Sequence, residues 1–398
     1  MTMWQLSMKA NLITSLVAGI TLLSLTGCGT VKEFFAADSY EAPPTELTEF
    51  EVEFEPKTLW STGTGDGAES AYSNLAPWLQ GDSIFTVDHE GDVRSHRLEN
   101  GQRQWRTKLN LPVATGVGGG EGLIVIGSQS GEVVALNEAS GEELWRQRLS
   151  SEVLAPAKVG GDYVVVRTAD GRLTAISASS GNILWNYQRA VPLLSLRGVS
   201  APMIVGQTVL AGYDNGKLVA LSLSDGKVIW EKSVAVPSGR TELERLVDID
   251  ADPVIQNGIV YVVAFQGKLA AMDVDTGDLL WDREMSSTSG IAVAATDAVY
   301  VSDDKSYLWA IADGTGDSLW RQTLLLRRNI TAPVIAGDYV VVGDFEGYLH
   351  WLSRFDGRFV ARQRLDKESI RSQPVVHDGV LYVMTTGGKL SAIRIPSL

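Results

Sequence analysis

Along most of the chain, apolar residues fall in short runs broken by Gly, Asn and Asp turns, and no helical period appears between the turns. The stretch 253–281, PVIQNGIVYVVAFQGKLAAMDVDTGDLLW, shows the plan in full. A Pro-led apolar triplet and a turn precede a β-rich run. A Gly turn, an alternating run with Ala at its centre, a Thr-Gly turn and a strand ending in Trp complete the unit. Each unit predicts four short antiparallel strands.

The turn Gly and the Trp four residues after it recur as Gly101/Trp105, Gly141/Trp145, Gly181/Trp185, Gly226/Trp230, Gly277/Trp281 and Gly316/Trp320. Successive tryptophans lie 39 to 51 residues apart, the length that a four-stranded propeller blade requires. A seventh unit keeps Gly357 but has Ala361 where the Trp belongs. The last unit stops at its third strand, after Gly388-Lys389-Leu390 and Ile395, and the missing strand stands at the other end as Lys57-Thr58-Leu59-Trp60. The expected fold is therefore all-β: an eight-bladed β-propeller of four-stranded antiparallel blades, closed by pairing of the N- and C-terminal segments. Radial repetition of this kind leaves only short sheet edges open to aggregation.

Runs such as Lys217-Leu218-Val219-Ala220-Leu221 are apolar on both faces and must be covered on both, as neighbouring blades would do. Ala135, Ala175, Ala220, Ala271, Ala310 and Ala392 hold one place in the unit, where small volume lets adjacent sheets approach. The Trp series is expected between blades, as packing. Ala361 predicts a weaker or differently filled junction between blades seven and eight.

Three segments are expected: a lipoprotein signal peptide over 1–27, a lipid-anchored acidic linker over 28–55 and the propeller over 56–398. The uncharged run from Leu12 to Leu25 is too short to span a bilayer and suits the core of a signal peptide. Leu25-Thr26-Gly27-Cys28 resembles a bacterial lipobox, which implies cleavage before Cys28 and lipid attachment to its sulfur. Cys28 is the sole cysteine, so no disulfide framework exists. Gly29 follows in place of the Asp that would retain such a lipoprotein at the inner membrane, which implies anchoring in the outer membrane, facing the periplasm. Within the linker, Phe50 to Phe54 alternates and is compatible with a short strand. A formal charge of −14 disfavours nucleic acid and anionic membrane surface as partners.

Catalytic arrangements are not evident. His89, His96, His350 and His377 are scattered among repeat strands and turns, without metal-ligand spacing. Asp88 and Glu90 flank His89 in a hairpin turn. Gly116 to Gly120 lacks the Lys-Ser/Thr of a phosphate loop, and no Gly-x-Ser-x-Gly occurs. No cofactor and no metal are expected. Departures from the repeat are the informative places. From Trp to the Pro that opens the next unit takes 11 residues after Trp145, but 17 after Trp185 and 23 after Trp230. The first insertion, 186–200, is apolar around Leu193-Leu194-Ser195-Leu196-Arg197. The second, 231–251, is acidic and carries Arg240, Glu244, Arg245, Asp248 and Asp250. Apolar anchors beside an Arg with a carboxylate rim have the composition of a protein-binding patch.

The run Ala271-Met272-Asp273-Val274-Asp275-Thr276-Gly277-Asp278-Leu279-Leu280-Trp281 resembles the tryptophan-docking repeat of pyrroloquinoline quinone (PQQ) dehydrogenases. That likeness implies, as the alternative, a PQQ-dependent periplasmic dehydrogenase. The cysteine pair many of those enzymes carry is missing, and the chain has little length for a pocket. Lipobox, acidic tether, eight repeats and two inserted loops together resemble the BamB family, propeller lipoproteins of the outer-membrane β-barrel assembly (Bam) complex. The match is most specific at 194–198 and 244–250. The resemblance implies a non-catalytic scaffold that binds the POTRA domains of BamA and assists insertion of outer-membrane β-barrel proteins. It assigns Leu194, Leu196, Arg197, Asp248 and Asp250 to the docking surface, the two aspartates either accepting charged hydrogen bonds or holding their loop. Unfolded barrel substrates are a further expected partner, at blade edges.

Overall fold

The computed structural model describes residues 42–68, 74–192, 194–196, 200–295 and 298–396. The expected signal peptide, Cys28 and the linker up to residue 41 lie outside the described residues. From Pro44 onward the described chain forms one unit.

Thirty-two strands, and no helix, occur among the described residues. They fall into four-stranded antiparallel blades at 78–108, 118–148, 158–188, 203–233, 254–284, 290–322 and 334–364. The eighth blade holds β30 (Val375–His377), β31 (Val380–Met384) and β32 (Lys389–Arg394) from the C-terminal end. Its outer strand is β1 (Lys57–Gly63) from the N-terminal end. Lys57 pairs with Arg394 and Gly63 with Lys389, so the ring closes by hydrogen bonds between the two ends, as expected. Blades two and three touch through one parallel pair, Lys158 with Gly119, between their first strands.

Burial follows position within the blade. The third strand of blade four, β16 (Lys217–Ser222), is buried at its four central residues, because sheets on either side cover both faces. The outer strand β17 (Val228–Ser233) is mostly open to solvent except at Trp230. Junctions between blades form the core; Leu210, Leu218 and Ala220 of blade four pack on Val260, Val262 and Met272 of blade five.

Each repeat Trp spans a junction. The indole N–H of Trp60 donates to Leu98 O at 2.9 Å, that of Trp145 to Ala178 O at 2.7 Å and that of Trp230 to Val274 O at 3.2 Å. The ring lies on the turn glycine of the next blade. A Cβ on Gly101 would come within 2.5 Å of the Trp60 ring, and Gly101 also holds φ near +71°, so both contact and conformation require glycine.

Blade seven exchanges the two sizes instead of losing one. In blades two to six, Ala sits opposite Trp across the ladder, as in Ala310 with Trp320. In blade seven, Trp351 of β28 (Tyr348–Ser353) faces Ala361 of β29 (Phe359–Arg364). The junction to blade eight is completed from outside the repeat: Phe54 packs 5.0 Å from Tyr339 and 5.6 Å from Trp351, centroid to centroid. It is differently filled, as one of the two expected outcomes.

Phe54 belongs to the segment expected to be a solvated linker. Residues 45–54 form no strand, and they lie against the propeller. Thr45 N donates to Leu326 O, Glu53 N donates to Val360 O, and the Arg328 and Arg362 guanidiniums donate to Thr45 O and Thr48 O. Phe50 stacks on Phe359 at 5.5 Å. The alternation of Phe50, Val52 and Phe54 marks a segment with one apolar face, and a side of the propeller takes the place of a partner strand.

Candidate functional site

The two long connections stand side by side, one between blades three and four and one between blades four and five. Salt bridges and hydrogen bonds tie them at both roots. Where they leave their blades, Arg189 meets Glu231 through both carboxylate oxygens, Nη2 to Oε1 at 3.0 Å, and Lys217 Nζ joins the same carboxylate. These cations hold the Glu231 carboxyl down at about 2. Where the connections re-enter, Asp252 Oδ1 accepts the backbone N–H of Ala201 at 2.6 Å.

Between the roots lies a buried charge cluster. The Arg167 guanidinium, 1% exposed, donates to Ser200 Oγ at 3.2 Å, to Gly212 O and to Asp214 Oδ1 at 2.6 Å. The Tyr213 ring lies between Arg167 (4.7 Å) and Arg189 (5.9 Å). Asp248 has no exposed surface, and neither its carboxylate oxygens nor Asp250 Oδ1 has a hydrogen-bond partner among the described residues. The Leu196 N–H favours the ionised Asp248 without reaching hydrogen-bond geometry. Burial, then the neighbouring carboxylates Asp250 and Asp214, push the Asp248 carboxyl far up from the ordinary carboxylate range, and Arg167 opposes them. Burial and Asp214 raise Asp250 likewise.

The apolar residues of these connections divide into anchors and open positions. Leu246, Val247 and Ile249 are buried, the last two in the junction of blades four and five. Leu194, Val236 and Leu243 are 44%, 73% and 67% exposed. The Glu244 carboxylate accepts the backbone N–H of Arg240 and Thr241, and Thr241 Oγ1 accepts that of Glu244. This capping box fixes the turn that presents Leu243. Leu196 is half-buried on the face where connections between blades emerge. There a cavity of about 610 Å³ is lined by Leu196, Phe265, Asp304, Ile330, Phe345 and Ile370, from connections and turns of several blades.

The expected site residues therefore separate. Leu194 and Leu196 are accessible, and Arg197 lies outside the described residues. Asp250 is partly exposed, whereas Asp248 is sealed beneath the connections. Of the two roles open to Asp248, its position allows support of the loop and offers a partner no surface. Sequence reasoning named neither Val236 nor Leu243, because the insertion also holds Val234, Leu246, Val247 and Ile249 and nothing in the sequence separates the exposed apolar residues from the buried ones. Arg167, Arg189 and Glu231 had no local signal, since their pairing crosses blades. Among the described residues, no group of three or more His, Cys, Asp or Glu could hold a metal ion. His350 is buried against Asp344 Oδ2 at 2.9 Å and Arg362 Nε at 3.1 Å, where it serves packing.

Fold and surface together define an eight-bladed propeller whose elaborated feature is a pair of braced connections that expose Leu194, Val236 and Leu243. The sequence profile of a family described as outer membrane protein assembly factor BamB matches residues 89–322 and 310–396. A relative from Pseudomonas aeruginosa, named outer membrane protein assembly factor BamB, is 45% identical over 373 residues, 94% of this chain and 96% of that protein. The crystal structure of BamB from Moraxella catarrhalis superposes with a TM-score of 0.79 at 29% identity, covering 85% of this chain and 99% of that one. Quinohemoprotein alcohol dehydrogenase from Comamonas testosteroni shares the fold alone, with a TM-score of 0.68 at 13% identity over 86% of this chain and 78% of that one. The chain belongs to the BamB family of outer membrane protein assembly factors.

Proposed function

We propose that this protein is a non-catalytic scaffold of the Bam complex, lipid-anchored through Cys28 to the periplasmic face of the outer membrane. It docks on the POTRA domains of BamA and assists delivery and insertion of outer-membrane β-barrel proteins. Leu194, Leu196 and Arg197 act as anchors, with Asp250 at the rim and Asp248 as support beneath.

The observation that carries this reading is the exposure of Leu194, Val236 and Leu243 on two connections braced by Arg189–Glu231 and Ala201–Asp252. Apolar side chains held on a fixed backbone bind without ordering a loop first, so little affinity is lost to entropy. Hot spots form where such anchors are ringed by polar groups. Family membership supplies the biological setting.

Affinity purification from detergent-solubilised membranes tests the assignment. Wild type is expected to recover BamA, and Leu194→Ala/Arg197→Ala to lose it. A correctly folded double variant that recovers BamA in full overturns the site. Outer strands provide a second contact: Ile183 with Leu184, Val228 with Ile229 and Leu279 with Leu280 are exposed on adjacent blades. An extended, unfolded barrel chain pairs with such edges through its main chain. Crosslinkers placed at 184 and 229 that never capture nascent barrel proteins would remove that part.

A further inference from the structure

At the junction of blades five and six, a groove of about 280 Å³ is lined by Arg283 and Arg321 of the outer strands, by Trp309 of the third strand of blade six and by Asp303, Lys305 and Tyr307 of the turn before it. Arg321 lies over Trp309 at 4.9 Å and over Tyr307 at 5.6 Å, and Arg283 covers the Trp309 ring at 5.2 Å. The repeat itself gives a standard for judging Arg321. It follows the outer-strand Trp of blade six, and the residue in that place in every other blade has a polar partner. The arginines among them, Arg106, Arg146 and Arg362, meet Asp92, Glu132 and His350.

Arg321 is met by an aromatic ring instead. Tyr307 stands where Asp92 and Glu132 stand in blades one and two, and Trp309 is paired directly opposite Arg321. Among the described residues, Arg321 makes no hydrogen bond and no ion pair. Nearby carboxylates are already engaged: Asp303 accepts Trp309 Nε1 at 2.8 Å and the backbone N–H of Lys305 and Tyr307, and Asp304 accepts Ser286 Oγ and Thr288 N. The groove thus presents a guanidinium set over two rings without a hydrogen-bond or ion-pair partner among the described residues, a group suited to a planar two-oxygen anion.

We propose that this groove binds a single carboxylate of a partner polypeptide, seated bidentately on Arg321. Glu284, Asp303 and Asp304 border the groove, so a polyanion or a dianionic phosphate meets repulsion there that one carboxylate largely escapes. Asp303 and Asp304 line both this groove and the cavity beside Leu196. The inference stands apart from the identity of the docking partner.

The test follows the Trp309 indole N–H resonance of the full protein by NMR, with three probes: acetyl-Gly-Glu-Gly-amide, its Gln counterpart and inorganic phosphate. The Glu peptide is expected to shift the resonance saturably, with the Gln peptide and phosphate at least tenfold weaker, as loss of one charge-assisted pair requires. Arg321→Gln should weaken the Glu peptide at least tenfold, while Arg106→Gln, at the equivalent paired position, leaves it unchanged. No saturable shift with the Glu peptide, equal binding of Glu and Gln peptides, or full binding to Arg321→Gln overturns the site. Phosphate binding as tightly as the Glu peptide overturns the choice of a polypeptide carboxylate.

Discussion

The closure of the ring offers a sharp test, because its eighth junction depends on a residue outside the repeat. Replacing Phe54 by Ala removes a half-buried ring that touches Tyr339 and Trp351. Half the burial of a Phe side chain contributes about 1–1.5 kcal/mol, and the two aromatic contacts add about 0.5–1.5 kcal/mol between them, for about 1.5–3 kcal/mol in total. The loss falls on β1, which starts three residues later and is held by one neighbouring strand. If β1 opens locally, its free energy of opening drops by that amount, and amide exchange in 57–63 accelerates about 10- to 150-fold. Hydrogen exchange read by mass spectrometry on a peptide covering 57–63 provides the assay, with Val52→Ala as a control, since Val52 is 56% exposed. Exchange in Phe54→Ala within threefold of wild type would refute the claim that Phe54 replaces the missing Trp.

Two further predictions concern the braced connections. Glu231→Gln is expected to lower stability by about 1 kcal/mol at neutral pH, since the pair is partly exposed. Because the folded state depresses this carboxyl to about 2, its contribution is present above the ordinary carboxylate range and is lost as pH falls through that range toward 2. Thermal denaturation of both proteins at pH 7 and pH 3 reads it, and a gap that persists undiminished at pH 3 contradicts the bridge. Asp248 has the opposite sign: its carboxyl is raised by burial, so it costs stability as pH rises above the ordinary carboxylate range. The cost grows by at most about 1.4 kcal/mol per pH unit for one proton. Asp248→Asn should therefore flatten the fall in melting temperature between pH 5 and pH 8; an unchanged slope contradicts it.

What was legible in the sequence follows from how local each interaction is. The Gly–Trp spacing announced blade number and closure, since turn glycine and indole meet at every regular junction and leave a fixed period. The exchange of Trp351 for Ala361 carried a signal too, in a Trp standing where Ala is the rule in the other blades. Docking of 45–54 was hidden by its acids, Glu46, Glu49, Glu51 and Glu53, which gave a linker composition to a segment with one apolar face. At the site, Leu194 and Leu196 were legible as apolar residues in a loop. The electrostatic setting of Asp248 was not, because Arg167 and Asp214 reach it from two other blade segments. Arg321 stands out only beside its seven counterparts, once the ladder fixes which residues those are.

Site-specific photo-crosslinking in intact cells reaches the central claim most directly. Crosslinkers at 194, 236 and 243 report on the two braced connections, and one at 144, an equally exposed apolar position on the edge of blade two, serves as reference. The account predicts adducts with BamA from the first three positions, lost at 236 and 243 when Leu194→Ala/Arg197→Ala is introduced, and none from 144. BamA adducts from 144 with none from 194, 236 or 243 would contradict it.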